Sequence, residues 1–448
     1  MKAARRPPRA IRDPPSTALA VRLPDHIAPY ARSPLRWRTG GEVTVLRDGG
    51  ETYAAMLDAL VTAQHTICFE TYILAADRTG DRFKAVLIDR VKAGVQVRII
   101  YDAVGSFGLP ESWVDELRRA GCKVIDFNPI APWRRRFRLS HRDHRKIIVV
   151  DDRVGFTGGL NIANDYAAVD DGGGGWHDMH CRVTGQIAHD LARMFRRTWL
   201  RCGGVSYPAA PPVEPPASPP EPPAPPPEPP ASSPEPPASS PDPPASSPDP
   251  PATPAPRLPI ESPSSYQPFV RLLDNTLRRQ RTTVRRAYLH VINAARKLVL
   301  IQNAYFLPDR GLRRALARAV ARGVDVRILI PGRSDVRLVE WAGLYVMRRL
   351  ARRGVKIFLW RGVMMHAKTA TVDTLWSTIG SYNFDAQSRF NNLEVTIEIL
   401  DPTTSQTLAD HFERDIANAD PFDEQAWLRL PWWRKALAWI GYRLRRFL

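Results

Sequence analysis

Short apolar runs alternate with longer mixed segments along this chain, and their order is the same in its two halves. Glycine closes predicted helices just before β-rich runs, as at Gly94 and Gly323. Residues 147–150 and 369–372 are β-prone runs and are predicted to be strands. Each half therefore predicts helix, strand, helix, strand, helix and strand. This alternation favours an α/β fold with a largely parallel sheet.

The end of the chain carries a different pattern, in which apolar side chains recur at helical spacing. The predicted stripe is Trp433, Leu437, Ile440, Leu444 and Phe447. Basic residues are available to flank it at Arg434, Lys435, Arg443, Arg445 and Arg446. Such a helix is suited to lie in the interface of an anionic membrane. The alternative is a terminal helix packed on the protein core.

Between the two halves, from residue 207 to residue 268, proline dominates the composition. Most of the chain's 43 prolines lie here, in units such as Pro-Glu-Pro-Pro-Ala-Ser-Ser that recur every seven residues. Because this composition lacks backbone donors and cannot build a core, it predicts an extended, disordered insertion. The other predicted divisions are a basic, proline-rich tail at 1–34, folded domains at 35–206 and 269–429, and the basic amphipathic helix at 430–448.

The formal net charge of the 448 residues is +18 at pH 7. Such an excess draws a protein to anionic membranes or to nucleic acid. We expect lipid and no nucleic acid, because the terminal stripe is rich in Trp and Leu. No run reaches the roughly 18 apolar residues of a membrane span, and the N-terminus lacks the apolar region of a signal peptide. The four cysteines have no CxxC spacing, which predicts a reducing compartment. Together these features predict a peripheral protein.

One short constellation occurs twice and carries the candidate chemistry. In each copy Lys follows His by two residues, Asp follows Lys by five, and Asn follows Asp by ten. The first copy is His144, Lys146, Asp151 and Asn161, and the second is His366, Lys368, Asp373 and Asn383. Agreement at every spacing predicts a single site built from two similar halves.

A phosphate diester is the ligand that suits these side chains. Residues two apart on a strand share a face, so the His and Lys of each copy project together. Two Lys and two Asn can hold the phosphoryl oxygens, where charge grows in the transition state. One neutral and one protonated imidazole can act as nucleophile and proton donor. Glycines ahead of each Asn would let the backbone approach the ligand closely.

A metal site is not expected from the same residues. Each His has a Lys beside it, which is a poor neighbour for a cation, and no cysteine or carboxylate cluster completes a ligand set. We therefore expect neither a metal nor another cofactor.

Both copies are similar to the HxKxxxxD signature of the phospholipase D superfamily, and further segments resemble the bacterial cardiolipin synthases. The resemblance covers roughly residues 35–205 and 265–448. The chain departs from the pattern at Gln387, where many members have Arg, and at Gly159, where Ser is frequent. The resembling segments are residues 101–106, 117–121, 156–161, 176–180, 305–309 and 323–327, together with Asn383, Asp385, Ser388, Asn392 and Glu394.

The resemblance implies two α/β sandwich halves around a pseudo-twofold axis, with both histidines near that axis. It implies a membrane-associated phosphatidyltransferase that makes cardiolipin from phosphatidylglycerol and a second phospholipid through a phosphatidyl-histidine. It favours His144 as nucleophile and His366 as general acid, and it counts Asp151 and Asp373 with the catalytic set. Supporting roles are expected for Glu70, Asp178, Ser388 and Glu394, of which Asp178 and Glu394 would orient the imidazoles.

The implied location is the cytoplasmic side of the bacterial inner membrane. Three alternatives stay open: a phosphodiesterase that hydrolyses phospholipid, a nuclease of the same superfamily, and a scaffold that binds anionic lipid without turnover. The amphipathic tail argues against the nuclease, and intact His, Lys and Asn in both copies argue against the scaffold. The sequence leaves the oligomeric state open.

Overall fold

The computed structural model describes residues 25, 27–31, 37–130, 141–211, 267–275 and 282–444. Most of the predicted N-terminal tail and insertion lie outside the described residues, as do the basic residues 133–138 and the last four residues, which include Phe447. Residues on both sides of the insertion belong to one compact unit.

The first half of the described chain is a seven-stranded sheet in the order β1-β7-β6-β5-β2-β3-β4. Its strands are β1 (Val43–Arg47), β2 (Thr66–Thr71), β3 (Gln96–Asp102), β4 (Lys123–Phe127), β5 (Ile147–Val150), β6 (Val154–Gly158) and β7 (Met179–Thr184). Its helices are α1 (Asp48–Val61), α2 (Arg78–Lys92), α3 (Glu111–Ala120) and α4 (Gln186–Arg201).

The second half repeats this topology, with one extra edge strand and further helices. Its strands are β8 (Phe269–Asp274), β9 (Leu298–Asn303), β10 (Asp325–Pro331), β11 (Lys356–Trp360), β12 (Lys368–Val372), β13 (Trp376–Gly380), β14 (Val395–Leu400) and β15 (Ala419–Pro421). Its helices are α5 (Thr283–Ala294), α6 (Arg310–Ala321), α7 (Arg337–Ala351), α8 (Ala386–Phe390), α9 (Pro402–Ala417), α10 (Glu424–Arg429) and α11 (Trp432–Leu444). The sheet order is β15-β11-β10-β9-β12-β13-β14-β8. Without β15, and read from β8, it matches the strand order of the first half.

Both sheets are mixed, so the prediction of a largely parallel sheet is wrong. Only β2, β3 and β4, and their counterparts β9, β10 and β11, pair in parallel within the described sheets. The reason is the tight turn after each motif strand. Asp151 and Asp152 have φ of 52° and 56°, and Asp373 and Thr374 have φ of 53° and 51°. Positive φ at both central residues is typical of the turns that reverse the chain between antiparallel strands, and here three residues separate the paired strand ends.

The hydrophobic core lies in three layers. One cluster covers the outer face of the first sheet with α1 to α3, and another covers the outer face of the second sheet with α5 to α7. The third lies between the halves and combines strand residues such as Val149 and Ile397 with Phe195 of α4 and Phe412 of α9. Because this middle cluster draws on both sheets, the two halves share one core.

The ends of two predicted low-complexity segments are folded against the core. Ile27 and Tyr30, within the predicted tail, are buried in the cluster of the second half, and Tyr30 donates a 2.6 Å hydrogen bond to Asp373. Tyr207, within the predicted insertion, lies under the guanidinium of Arg98 at 3.4 Å. Its hydroxyl also lies 3.2 Å from the Cys68 thiol. Both folded domains therefore extend beyond the boundaries that composition indicated.

The C-terminal helix α11 packs against α7 and at the same time exposes an apolar face. Its buried residues are Ala438, Gly441 and Tyr442, and the Tyr442 ring lies 4.7 Å from the Tyr345 ring of α7. The side chains of Trp432, Trp433, Trp439, Ile440 and Leu444 are exposed. No helix among the described residues is long and apolar enough to cross a membrane.

Candidate active site

The two motifs meet where each half begins its central hairpin. Main-chain hydrogen bonds between the halves align them: His144 N donates to Leu393 O at 3.0 Å, and His366 N donates to His177 O at 2.7 Å. Each histidine is therefore placed by the segment that immediately precedes the carboxylate of the opposite half.

Each imidazole is bonded to a buried carboxylate from the other half. His144 Nδ1 lies 3.1 Å from Glu394 Oε2, and His366 Nδ1 lies 2.7 Å from Asp178 Oδ2. Glu394 directly precedes β14 and Asp178 directly precedes β7, so the two carboxylates occupy equivalent positions in the duplicated fold. This geometry fixes both rings and leaves Nε2 as the ring nitrogen without a protein carboxylate.

The two carboxylates are supported by different donors. Glu394 accepts from the Ser381 hydroxyl and, at 2.7 Å, from the Ser388 hydroxyl. Asp178 accepts from the backbone of Met179 at 2.7 Å. Ser388, predicted as a supporting residue, therefore acts on Glu394 and through it on His144.

Both carboxylates are held ionised. Burial on its own would raise the pKa of each, but charge attraction and hydrogen bonds from neighbouring groups outweigh it. Lys368 and His366 lower the pKa of Asp178 below its ordinary value. His144 lowers the pKa of Glu394 in the same way. Because an ionised carboxylate can only accept, Nδ1 of each histidine carries the proton that it donates.

The two lysine ammonium groups are buried close to each other. Lys146 donates to the carbonyl of His144 at 2.8 Å, and Lys368 donates to the carbonyl of His366. Burial, together with the charge of Lys368, lowers the pKa of Lys146 to about 7. Burial lowers the pKa of Lys368 to about 8. The site therefore concentrates positive charge that an anionic ligand would stabilise.

The same environment favours neutral imidazoles. Burial and then Lys146 lower the pKa of His144. Burial and then Lys368 lower the pKa of His366 to about 4. Near neutral pH both histidines of the empty site are uncharged, which is the form that can attack phosphorus.

A pocket of about 420 Å³ joins both halves of the site. Both histidines and both motif asparagines line it. Asn161 is held by hydrogen bonds from Ile73 N at 3.1 Å and to Tyr166 Oη at 2.7 Å. The Asn383 Oδ1 atom is buried and meets no donor among the described residues. The structure thus brings together the six predicted His, Lys and Asn side chains and, bonded to the imidazoles, the two carboxylates that were expected to orient them.

The two motif aspartates lie elsewhere. Asp151 accepts hydrogen bonds from the backbone of residues 64, 65 and 66, and Asp373 accepts them from residues 296, 297 and 298. Each follows the motif strand whose other end carries the lysine, about 16 Å away for five residues at β-strand rise. Their contacts fix the start of β2 and of β9, so they position the scaffold without facing the pocket.

Glu70 and the glycines also have contacts that the sequence did not indicate. Glu70 is buried beside Arg145, 3.4 Å from its guanidinium, and it touches neither histidine. A Cβ on Gly159 would lie 2.1 Å from Asp178 Oδ1, and one on Gly158 would lie 2.5 Å from Met179 O. The glycines therefore make room for β7 and Asp178 rather than for a ligand, which corrects that expectation.

Sequence reasoning did not assign a role to the aromatic wall of the pocket. The Tyr72 ring lies 5.0 Å from His144, and the Tyr166 and Tyr305 rings lie 5.5 Å and 6.1 Å from His366. A usable signal exists for two of them, because Tyr72 and Tyr305 occupy matching positions in the duplicated segments 71–74 and 304–307. These rings narrow the pocket and contribute to the burial that shifts the histidine pKa values.

Two similar halves that contribute one His-x-Lys each to a shared pocket define a phospholipase D-like protein. The chain belongs to the family described as "Cardiolipin synthase, PLD-like domain", whose model matches residues 56–199 and 288–416.

Curated relatives and a solved structure agree with this assignment. The chain is 31% identical over 418 residues to a cardiolipin synthase of Geobacillus thermodenitrificans (strain NG80-2), covering 91% of this chain and 74% of the relative. It is 28% identical over 391 residues to the major cardiolipin synthase of Bacillus subtilis (strain 168), covering 87% and 72%. The crystal structure of a phosphatidylserine synthase from Haemophilus influenzae Rd KW20 has the same fold, with a TM-score of 0.61 at 14% identity, and the match covers 91% of this chain and 95% of that one.

Proposed function

We propose that this protein is a phosphatidyltransferase that joins phosphatidylglycerol to a second phospholipid and so forms cardiolipin. The observation that carries the proposal is the pair of imidazoles in one pocket, each bonded through Nδ1 to an ionised carboxylate of the other half. The family supports lipid as the substrate class. The two imidazoles support a reaction that proceeds by two displacements at phosphorus.

In the first displacement His144 Nε2 attacks the phosphorus of the donor phospholipid. The bond from phosphorus to the donor's headgroup oxygen breaks, and His366 gives its proton to that oxygen. In the second displacement the hydroxyl of the acceptor lipid attacks phosphorus and loses its proton to His366. The phosphorus–nitrogen bond then breaks, which releases His144 and the product. Asp178 stabilises the imidazolium form of His366, as a carboxylate does for a general acid–base histidine.

The lysines and asparagines stabilise the charge that this reaction develops. A bound phosphodiester anion between Lys146 and Lys368 favours their protonated forms, which burial and mutual repulsion oppose in the empty site. The same anion favours protonated His366, whose pKa in the empty site is about 4. The Asn161 and Asn383 amides are available for the phosphoryl oxygens, as expected of preorganised donors.

Peripheral membrane binding through α11 completes the proposal. Trp432 is 79% exposed, Trp439 50% and Ile440 43%. These side chains project from the side of the helix opposite to its contact with α7, at the 100° spacing of helical residues. Tryptophan at a polar–apolar boundary and neighbouring basic residues suit an anionic lipid surface. The proposed membrane-binding surface also includes three residues beyond Leu444. These are Phe447 of the predicted stripe and the flanking Arg445 and Arg446.

The test is product formation on defined lipids. Purified full-length protein is incubated with phosphatidylglycerol vesicles, and products are identified by mass. We expect cardiolipin from the wild type and none from His144→Ala or His366→Ala. His189→Ala, which alters an exposed histidine of α4, serves as the matched control and should keep full activity. Phosphatidic acid as the only product would support the hydrolase instead. Cleavage of added DNA with the lipid left intact would support the nuclease, and no turnover would support the scaffold.

A second measurement assigns the two histidines. Rapid quenching during turnover followed by peptide mass analysis should find phosphatidyl at His144. An adduct at His366 would reverse the roles, and absence of any adduct in an enzyme that forms cardiolipin would contradict the two-displacement reaction.

A further inference from the structure

A second cavity lies beside the catalytic pocket. Its volume is about 970 Å³, and Asp385 lines both cavities, so the two adjoin at this residue. Four arginines line the larger cavity, one each from α5, α6, α8 and α11. We call it the arginine pocket and define it by Arg285, Arg310, Arg389, Arg443 and Asp309.

The positive charge of the arginine pocket is only partly neutralised. Arg285 and Arg389 both form ion pairs with Asp309, and Arg389 Nε is buried with no acceptor among the described residues. Neither Arg310 nor Arg443 forms an ion pair with any residue that the structure describes, and both are exposed. An anion entering here meets guanidinium groups that can donate in pairs, which is the geometry that phosphate accepts best.

Several residues of the remaining wall are apolar. Leu307, Leu312 and Phe384 line the cavity, and Phe390, which also lines it, is exposed. Arg443 lies on α11, where its guanidinium is 5.7 Å from the exposed Trp439 ring. The cavity therefore opens beside the face that we propose to contact the membrane. A charged end beside an apolar wall suits a molecule with a phosphate and acyl chains.

We propose that the arginine pocket binds the phosphate of the acceptor phospholipid and thereby directs its headgroup hydroxyl into the catalytic pocket. This inference rests on the proposed transferase function. A glycerol headgroup separates its phosphate from its terminal hydroxyl by only a short carbon chain, so the acceptor phosphate must bind next to the catalytic pocket and not within it. Asp385, at the boundary, offers a carboxyl group to the glycerol hydroxyls, and burial raises its pKa to about 7. Its Oδ1 accepts from Ser388 N at 2.7 Å, which fixes its orientation.

The experiment measures how the phosphatidyl-enzyme divides between acceptor and water. Full-length protein is given phosphatidyl-p-nitrophenol as donor in mixed micelles, with phosphatidylglycerol as acceptor, and cardiolipin and phosphatidic acid are quantified. We expect Arg310→Gln and Arg443→Gln each to lower the ratio of cardiolipin to phosphatidic acid roughly tenfold, the effect of one lost hydrogen bond to a charged group. Arg314→Gln removes the same charge from α6 outside the pocket, and should leave the ratio unchanged.

Two further arms identify what the pocket recognises. With free glycerol as acceptor, which has no phosphate, the pocket variants should match the wild type in the ratio of phosphatidylglycerol to phosphatidic acid. Inorganic phosphate should inhibit transfer to phosphatidylglycerol but not to glycerol. Equal losses with both acceptors, or unchanged ratios in the pocket variants, would overturn the inference. A wild type that forms phosphatidic acid but no cardiolipin would instead overturn the proposed function.

Discussion

His366 Nδ1 lies 2.7 Å from Asp178 Oδ2, and these two residues come from different halves of the chain. The reciprocal pair, His144 and Glu394, repeats the relationship in the opposite direction. Neither half therefore contains both an imidazole and the carboxylate that orients it. The duplication has not produced two sites but one site whose parts are exchanged between halves.

We predict that Asp178→Asn and Glu394→Gln each lower kcat by at least about tenfold, because an amide cannot stabilise the imidazolium and admits the wrong ring tautomer. Turnover of phosphatidylglycerol to cardiolipin is measured together with the thermal midpoint. Asp58→Asn, at an exposed position of α1, is the matched control. Full activity in either site variant would contradict an orienting role for that carboxylate.

The pH dependence of kcat/KM should report the buried lysines. The pKa values of Lys146 and Lys368 are lowered to about 7 and about 8. The protonated forms bind the anionic substrate, so kcat/KM on a soluble phosphodiester should fall as pH rises through this range. Replacing Lys146 with Arg keeps the charge at all these pH values and should move the alkaline limb to higher pH, even if the rate is lower. An unchanged limb in Lys146→Arg would exclude this lysine as its source.

The residues of the candidate site were predictable because their spacing occurs twice in the sequence. His144, Lys146 and Asn161 share their spacing with His366, Lys368 and Asn383, and spacing on a strand determines which side chains share a face. The α/β class followed from the order of helices and β-rich runs. The mixed pairing of the strands could not be predicted in this way, because the turn at Asp151 contains no glycine that would indicate a hairpin.

Other features of the site depend on contacts that cross between the halves. The pairing of His144 with Glu394 joins residues 250 positions apart, and the resemblance to a known superfamily suggested the two carboxylates as partners without assigning each to its histidine. Asp151 belongs to the same motif as His144, but it is separated from the pocket by the length of β5. Motif membership therefore predicts a shared structure more safely than a shared chemical role.

Gly159→Ala should lower kcat by at least about tenfold. The new Cβ would stand 2.1 Å from Asp178 Oδ1, so the carboxylate must move away from His366, and small displacements of an orienting group are costly. Gly108→Ala is the control, since its Cβ would meet no atom within 4 Å. Because the second half has Ser381 at the equivalent position, normal activity in Gly159→Ala would mean that Asp178 can relax without losing its contact.

His177 should contribute stability that depends on pH. It is buried between Asp415, at 2.9 Å, and Asp48, at 2.5 Å. Although burial opposes protonation, these two hydrogen bonds raise the pKa of His177 to about 9. With an unfolded value of roughly 6.5, the stabilisation is fully present below that pH and is lost as pH rises through about 9.

We therefore predict that the thermal midpoint of His177→Gln lies below that of the wild type at pH 6 and converges with it toward pH 10. The difference between the two proteins isolates this group from other titrations, and His189→Gln should show no such convergence. A difference that stays constant across the range would mean that His177 stabilises the fold by packing alone.

The two faces of α11 should respond differently to substitution. Trp432→Ser with Trp439→Ser alters only exposed side chains, so we expect the thermal midpoint to be kept and binding to phosphatidylglycerol vesicles to weaken by roughly tenfold, the loss of two interfacial aromatic anchors. Gly441→Leu places a Cβ 3.2 Å from Ala342 N in the contact with α7, so it should lower the thermal midpoint instead. Vesicle co-sedimentation at low and high salt separates the apolar from the electrostatic part of binding. Unchanged vesicle binding by the double Trp variant would exclude this face as the anchor, and unfolding of that variant would show that the two tryptophans stabilise the packed helix.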